Sequence, residues 1–259
     1  MRPHDPSRTD PDDDRTLLWE GGPPGTATTP PTRGKRGFRG AAVRLAKGAL
    51  ALLLGFYVLC VVLLVVYRFV EPPTTGVQLE RRIEAWSSGE DLDVEKEPVA
   101  LSDLPRHVPR AVAAAEDGRF WDHRGFDLVE MRSAAEEAAE GGRMRGASTI
   151  TQQLMKNLFG CTCRNPVRKV YDLALTPAAE LILGKERIME LYLNQVEWGE
   201  GVFGIEAAAR HHYGVSAEKL SRTQAAGLAA LLPNPLRRTP KNTGEYRRSI
   251  LGRMRHRGW

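Results

Sequence analysis

The sequence predicts a mainly α-helical protein with one membrane-spanning helix near its N-terminus. The stretch from Gly48 to Tyr67 carries no charge, and about 20 apolar residues are what a helix needs to cross the hydrocarbon core of a bilayer. Beyond it, apolar residues recur at helical spacing, few stretches alternate as a strand would, and no internal repeat is visible. Hydrophobic residues make up 42% of the 259 residues, enough for one folded domain with additional segments.

Residues 1–47 are predicted to form a disordered tail. Through residue 40 they are rich in Pro, Gly, Thr, Asp and Arg and show no apolar period, a composition that cannot bury a core. The only hydrophobic cluster of the tail is Leu17, Leu18 and Trp19. This cluster could be a docking motif for a partner, but a passive tail is the favoured interpretation.

The basic character of the chain does not indicate nucleic-acid binding. The net charge is +5 and the pI about 9.2, but nine basic and six acidic residues lie within residues 1–47, so most of the excess charge is in the tail. No signature of a DNA- or RNA-binding module accompanies it. We therefore expect no nucleic-acid partner.

The membrane helix is predicted at residues 48–67, with the N-terminus in the cytoplasm. Positive residues precede the span, whereas Arg68 and Glu71 begin a following flank of mixed sign, and the positive-inside rule places the basic flank in the cytoplasm. A cleaved signal peptide is the competing interpretation, but the apolar run is long, lies far from the start and lacks a small-residue cleavage site. The preceding positive residues are Arg33, Lys35, Arg36, Arg39, Arg44 and Lys47.

Helical patterns continue through the external part, residues 68–259. Thr149 and Gln152 have the spacing of a capping box, and the helix that they begin should end at Gly160. Its apolar face carries Ile150, Leu154 and Leu158.

The next helix opens after Pro166, and Pro177 is expected to kink or end it. Further helical runs are predicted at Lys185–Leu193, Gly204–His212 and Thr223–Leu232.

The three cysteines show no metal-site spacing. Cys60 lies in the predicted span, and Cys161 and Cys163 lie in an external loop with no Cys or His pair nearby to complete a zinc site. A disulfide between Cys161 and Cys163 is open outside the cytoplasm, although it would close a small, strained ring. The role of the pair stays unassigned.

Glu116 and Asp117 are the first candidates for chemistry. They end an alanine-rich, helix-favouring run from Arg110 to Ala115 and stand just before Gly118. Acidic side chains there face the negative end of a helix dipole, the opposite of what stability favours. A broken local rule of this kind points to function.

Three sequence blocks stand out in the external part: AEDGRFWDHRGF, GASTITQQLMKNLF and RKVYD. Together they resemble the glycosyltransferase domain of the peptidoglycan polymerases, membrane-anchored enzymes that polymerise lipid II, and the likeness runs from about Pro72 to the C-terminus. The matching residues are Glu116, Asp117, Phe120, His123, Gly125, Gly146, Ser148, Thr149, Ile150, Thr151, Gln152, Gln153, Lys156, Asn157, Arg168 and Lys169.

The resemblance implies a lysozyme-like, mainly α glycosyltransferase domain of the monofunctional kind. SAEK at Ser216–Lys219 matches one transpeptidase motif, but the others are missing. The implied reaction joins lipid II units into β-1,4-linked glycan with inversion, releases undecaprenyl diphosphate and contributes to cell-wall biogenesis. The implied location is the plasma (inner) membrane, with the domain on the periplasmic or extracellular side. The implied partners are lipid II, the growing glycan strand, the membrane and other cell-wall synthesis or division proteins.

The resemblance also implies roles for individual residues. Glu116 is the expected base for the incoming 4-hydroxyl, because a carboxylate of raised pKa suits that task, although an isolated Glu-Asp pair would be a solvated surface feature. Lys156, Arg168 and Lys169 are expected to bind the pyrophosphate. The remaining expected substrate-binding residues are Asp117, Phe120, His123, Ser148, Thr149, Gln152, Gln153 and Asn157; for His123 a structural hydrogen-bonding role is equally open.

Asp172 is where the chain departs from the resemblance, because the family has glutamate at this position. The implied role is catalytic, either assisting the leaving group or holding a divalent cation, Mg²⁺, near the pyrophosphate. The side chain is one methylene shorter, so the carboxylate is expected to fall about 1 Å short, a misplacement that can be costly. The alternative is a surface ion pair with Arg168, one helical turn away.

Two rival functions remain at this point. A glycan-cleaving hydrolase of similar shape would need no pyrophosphate clamp, so the basic residues argue against it. A non-enzymatic scaffold of the wall-synthesis machinery rests only on Asp172 and predicts lipid II binding without product.

Overall fold

The computed structural model describes residues 35–90, 92, 94, 96–142, 146, 148–163 and 165–259, with side chains from residue 40 onward. Most of the predicted tail, including the Leu17, Leu18 and Trp19 cluster, lies outside the described residues. The chain divides into a unit that ends at Ala49 and a larger one from Leu50 to Trp259. The larger unit carries every side chain discussed below.

Helix α1 spans Lys35–Tyr67. It therefore begins well before the predicted span at residue 48, because helix propagation from an apolar run is cooperative and no proline interrupts the preceding residues. Among the described residues it is the one helix long and apolar enough to cross a membrane, over Gly40–Tyr67. The predicted order of a membrane helix followed by a helical domain is confirmed.

The C-terminal half of α1 packs against the body of its own unit. Cys60 and Leu64 are fully buried, and the Phe56 ring stacks on Tyr171 with centroids 5.1 Å apart. Just past the helix end, Arg187 donates hydrogen bonds to the carbonyl oxygens of Tyr67 at 2.9 Å and Val70 at 3.0 Å. These bonds tie the segment that follows α1 to the rest of the domain.

The regular secondary structure in the described part of the domain is almost all helical, as predicted. Two short antiparallel strands, β1 (Glu197–Gly199) and β2 (Val202–Phe203), form its only sheet within the described residues. The helices are α2 (Gly76–Ser87), α3 (His107–Glu116), α4 (Leu128–Ala139), α5 (Ile150–Phe159), α6 (Pro166–Gln195), α7 (Ile205–Tyr213), α8 (Arg222–Ala229) and α9 (Gly244–His256), with 3₁₀ turns at Leu101–Asp103 and Ala217–Lys219.

Helix α5 packs centrally against α6. Ile150, Leu154 and Met155 are fully buried, and Leu158 is nearly so, as the four-residue spacing predicts. Thr149 caps the helix by accepting a hydrogen bond from the Gln152 backbone N–H at 3.3 Å. The reciprocal half of the predicted capping box does not form, because the Gln152 side chain donates to the Gly125 carbonyl instead.

Helix α6 breaks at a different residue from the one predicted. Pro177 stands inside the helix, whereas the non-helical residue is Gly184, with φ 76° and ψ 166°. A proline removes one backbone hydrogen bond, but a residue at positive φ reverses the helical path, and glycine adopts that conformation at little cost. The predicted start of a helical run at Lys185 reflects this break.

Candidate active site

Glu116 is the last residue of α3, as the sequence predicts. Asp117, with φ −156°, leaves the helical conformation. The side chain of Glu116 is partly exposed and lines a cavity of about 890 Å³. The candidate base is therefore accessible from one side only.

A chain of neutral hydrogen bonds holds the Glu116 carboxylate. Gln153 Nε2 donates to Glu116 Oε2 at 2.9 Å, and the buried Tyr192 hydroxyl donates to Gln153 Oε1 at 2.8 Å. Burial raises the pKa of Glu116, while the Gln153 bond and the charges of Lys156, Arg238 and Arg253 oppose the rise. A carboxyl group with a raised pKa in a fixed orientation suits proton acceptance near neutral pH.

Asp117 connects the end of α3 to the start of α5. Its carboxylate accepts a hydrogen bond from the Ile150 backbone N–H at 3.0 Å and lies 2.9 Å from His123 Nε2. An acidic group at a helix N-terminus is stabilising. His123 Nδ1 accepts from the Gly125 backbone N–H at 3.1 Å, so both ring nitrogens are used inside the protein. This geometry favours the structural role for His123.

Asp117, His123 and Asp127 form a group that could hold a metal ion by ligand type and spacing. Their ligand atoms lie within 4.8 Å of one another. These residues also have partners within the protein: Asp117 bonds to His123 and Ile150, and Asp127 Oδ1 accepts from N–H groups in the first turn of α4. The buried Asp127 Oδ2 accepts no hydrogen bond and lies 3.5 Å from Arg119 Nε.

The first and second sequence blocks meet at Gly125. Its carbonyl oxygen accepts from Thr149 Oγ1 at 2.8 Å and from Gln152 Nε2 at 3.2 Å. Gly125 has φ +85°, and a Cβ there would lie 2.4 Å from Thr176 Cγ2, so no larger residue fits. The glycine fixes the α5 N-terminus beside the candidate base.

A second charged centre lies on the first turns of α6. Lys169 Nζ donates to Ser148 Oγ at 2.9 Å and approaches Gln152 Oε1 at 3.4 Å. Burial lowers the pKa of Lys169 and also that of Lys156 on α5. Ser148 itself lines the cavity, so Lys169 reaches the cavity wall through it. The three predicted pyrophosphate residues therefore lie on the α5 and α6 segments that adjoin the candidate base.

Asp172 belongs to this cationic centre. The whole Asp172 residue is 3% exposed. Arg168 Nη1 donates to Asp172 Oδ2 at 2.8 Å. Burial raises the pKa of Asp172, whereas Arg168, Lys169 and Lys156 lower it. The shorter aspartate thus makes a direct ion pair in which Asp172 is buried and Arg168 is partly exposed.

Three residues predicted to bind substrate are buried and are not among the residues that line the cavity. Phe120 is 0% exposed and packs in the core with Lys185 Nζ 4.3 Å from its ring centroid. Asn157 is buried and donates to the Gln153 carbonyl at 2.8 Å. Gln152 is buried as well and bonds to Gly125. These contacts use the polar or aromatic groups of the three residues inside the protein, and their substrate-binding role stays a prediction.

Sequence reasoning missed the wall of the cavity that α9 contributes. Tyr246 and Arg253 line it together with His256 and Arg257. No local pattern marks these residues, because α9 follows Glu116 by more than a hundred residues and shows no acidic or metal-binding motif. Only the folded chain brings them beside α3.

The loop between α5 and α6 contains a disulfide between Cys161 and Cys163, the alternative left open by the sequence. The carbonyl oxygen of Cys163 accepts a hydrogen bond from Arg168 Nε at 3.0 Å. Thr162 N–H donates to Glu80 Oε2 on α2 at 2.6 Å. The loop thus supports one side of the Arg168 guanidinium while Asp172 binds the other.

Comparison with known proteins supports the sequence resemblance. A family model described as Transglycosylase matches residues 84–255. The chain is similar to proteins named biosynthetic peptidoglycan transglycosylase. That of Pseudomonas putida strain F1 is 43% identical over 203 residues, covering 78% of this chain and 86% of the relative. That of Stutzerimonas stutzeri is 46% identical over 197 residues, covering 76% and 80%. That of Pseudomonas aeruginosa PAO1 is 43% identical over 207 residues, covering 80% and 89%.

Proposed function

Because the chain belongs to the transglycosylase family and is a peptidoglycan glycosyltransferase of cell-wall biosynthesis, we propose that it polymerises lipid II into β-1,4-linked glycan with inversion at C1. The resemblance and the enzyme class predicted from the sequence are thereby confirmed. What we propose beyond this class is the lipid II substrate, the inversion at C1 and the roles of the individual residues.

The observation that carries the proposal is the environment of Glu116. Its carboxylate faces the cavity, is oriented by Gln153, and has a pKa raised by burial. In the proposed reaction Glu116 accepts the proton of the sugar 4-hydroxyl as that oxygen bonds to C1 of the second substrate. The C1–O bond to the pyrophosphate breaks, and its electron pair leaves with undecaprenyl diphosphate. A positioned carboxylate of this kind contributes roughly 10²–10⁴-fold to the rate.

The departing pyrophosphate needs cationic donors. Arg168, Lys169 and Lys156 supply them from neighbouring turns of α6 and α5, and Asp172 orients Arg168 at 2.8 Å. Preorganised cations stabilise charge that develops in the transition state more than charge already present in the substrate. The proposed role of Asp172 is therefore to hold the guanidinium in place.

The residues around Asp172 do not fit a protein-held Mg²⁺. One carboxylate there is surrounded by three cationic side chains, whereas Mg²⁺ in proteins is held by carboxylates together with substrate phosphates and water. The divalent cation implied by the resemblance would have the pyrophosphate itself as its main ligand, and polymerisation with and without Mg²⁺ tests whether the reaction needs it.

We further propose that α1 crosses the plasma (inner) membrane once, with the N-terminus in the cytoplasm and the catalytic domain outside. The uncharged run and the basic residues before it support this orientation. The proposed partners are lipid II, the growing strand, the membrane and other wall-synthesis or division proteins.

Polymerisation of labelled lipid II by the purified full chain in detergent with Mg²⁺ tests the proposal. We expect glycan from the wild type and none from Glu116→Gln. Retained activity in Glu116→Gln would contradict the base assignment. Lipid II binding without product would indicate the scaffold, and soluble sugar released from finished peptidoglycan would indicate a hydrolase.

A further inference from the structure

Helix α9 contacts the end of α3 at the two residues that precede the candidate base. Arg253 Nη1 donates to the Ala114 carbonyl oxygen at 2.8 Å, and the Tyr246 hydroxyl donates to the Ala115 carbonyl oxygen at 3.0 Å. We propose that Tyr246 and Arg253 are positioning residues for Glu116, which hold the last turn of α3 and set the orientation of the carboxylate. This inference rests on the proposed role of Glu116 as base.

Helix ends supply the physical reason for these contacts. The last four carbonyl oxygens of a helix have no partner within it. In α3 the Ala113 carbonyl accepts from the Asp117 backbone N–H, and the next two carbonyls accept from α9. Without α9, the last turn of α3, which carries Glu116, would lose the two hydrogen bonds to its Ala114 and Ala115 carbonyl oxygens. This turn is the part of the helix that frays most readily.

The positive charge of Arg253 has a second effect. A carboxylate at the C-terminus of a helix faces the negative end of the dipole, which is the unfavourable placement noted from the sequence. A guanidinium on the same carbonyls offsets that unfavourable field. Arg253 therefore favours the ionised form of Glu116, the form that can accept a proton.

The α9 side chains that make these contacts have further partners. The guanidinium groups of Arg253 and Arg238 lie over the Tyr246 ring, 5.5 Å and 5.2 Å from its centroid. Arg238 also donates to the Ala230 carbonyl oxygen at 2.9 Å, just beyond α8. On the adjoining side of the helix α9 buries Ile250 and Met254 completely. Helix α9 is thus anchored in the core by Ile250 and Met254 and lines the cavity with Tyr246 and Arg253.

Several groups face Glu116 besides Arg253, and a test has to separate them. Helix α5 contributes Gln153 and Lys156, α6 contributes Tyr192 through Gln153, and the segment before α9 contributes Arg238. The following residue, Asp117, is acidic and bonded to His123. The charge of Arg253 and the hydroxyl of Tyr246 can each be removed without changing any of these groups.

The experiment compares the pH dependence of lipid II polymerisation by full-length variants in detergent. Arg253→Gln removes the charge, Arg253→Lys keeps it, and Tyr246→Phe removes only the hydroxyl. Arg255→Gln, on the same helix but outside the cavity lining, is the matched control. Thermal unfolding of each variant checks that the fold is intact.

Arg253→Gln should lower kcat about tenfold and move the acidic limb of the profile to higher pH, since a group that lowers the pKa of the base is lost. Arg253→Lys should restore the position of the limb. Tyr246→Phe should lower kcat severalfold with little change in KM or in the limb. Arg255→Gln should match the wild type.

The outcomes distinguish this inference from the proposed function. An inactive wild type, or an active Glu116→Gln, would contradict the base assignment itself. If Glu116→Gln is inactive while folded Arg253→Gln and Tyr246→Phe keep wild-type kcat and pH profile, the base stands and the positioning role is overturned. A uniform loss of thermal stability with an unshifted limb would likewise assign α9 a structural role only.

Discussion

The two carboxylates of the site, Glu116 and Asp172, have the same chemistry and different partners. Burial raises the pKa of both. Glu116 receives its closest hydrogen bond from a neutral amide, Gln153, at 2.9 Å. Asp172 is paired directly with the Arg168 guanidinium at 2.8 Å and stands beside Lys169. The first can gain a proton without breaking an ion pair, and the second cannot.

This difference shows how environment assigns roles to like groups. A neutral donor orients a carboxylate without strongly favouring its charge, so burial dominates and proton transfer becomes accessible. A guanidinium favours the charged form and turns the carboxylate into a support for a cation. Because the pKa of both carboxyl groups is raised, the two roles are separated by the partner of each carboxylate, a neutral amide at Glu116 and a guanidinium at Asp172.

The strongest test of the comparison is Glu116→Gln. The amide fills the same space but cannot accept the proton, so polymerisation should fall by about 10³-fold or more, near the upper range for general base catalysis. Initial rates on labelled lipid II measure the change. Binding of lipid II and thermal unfolding should stay close to wild type, and a rate within tenfold of wild type would remove Glu116 from the mechanism.

Activity should depend on the negative charge at position 172 more than on the length of the side chain. Asp172→Asn leaves Arg168 without its ionic partner and should lower kcat roughly 10²-fold, because preorganisation of the cation is lost. Asp172→Glu introduces the residue found in the family and should keep activity within about tenfold of wild type, since the present aspartate already reaches Arg168. Parallel steady-state assays compare the two variants. Product from Asp172→Glu alone would mean that the natural chain is a weakened enzyme or a scaffold.

Arg168→Lys tests the cationic group around Asp172 with a smaller expected effect. A lysine keeps the charge but cannot bond Cys163 and Asp172 together, as Arg168 does at 3.0 Å and 2.8 Å. We expect kcat/KM to fall about tenfold. Arg132→Lys, in the exposed pair with Glu136, provides the control. An unchanged kcat/KM would show that the geometry of the guanidinium does not matter.

The smallest predicted effect concerns the amide that holds Glu116. Its hydrogen bond lowers the raised pKa of Glu116, so Gln153→Met should raise that pKa further and shift the acidic limb of the rate profile to higher pH. At the low end of the profile the rate should drop severalfold, with a smaller change above neutrality. Lys169→Met should lower the rate without moving the limb. If Lys169→Met shifts the acidic limb of the rate profile and Gln153→Met does not, the limb does not report the pKa of Glu116.

The sequence by itself predicted the features that depend on local spacing. The uncharged run gave the span, the four-residue period of Ile150, Leu154 and Leu158 gave the buried face of α5, and the alanine-rich run gave a helix that ends at Glu116. The motif blocks predicted the enzyme family, and the one-turn spacing of Arg168 and Asp172 left an ion pair open as the alternative to a catalytic role. These features follow from chain periodicity and side-chain chemistry, which any short stretch already contains.

The tertiary structure alone decided the features that depend on residues far apart in the chain. It buried Phe120 and Asn157, directed Gln152 to Gly125, placed the break of α6 at Gly184, and brought Tyr246 and Arg253 of α9 to the end of α3. No local rule distinguishes a glutamine that caps its own helix from one that bonds a distant carbonyl, because both satisfy a polar group equally well. The packing of the whole domain makes that choice.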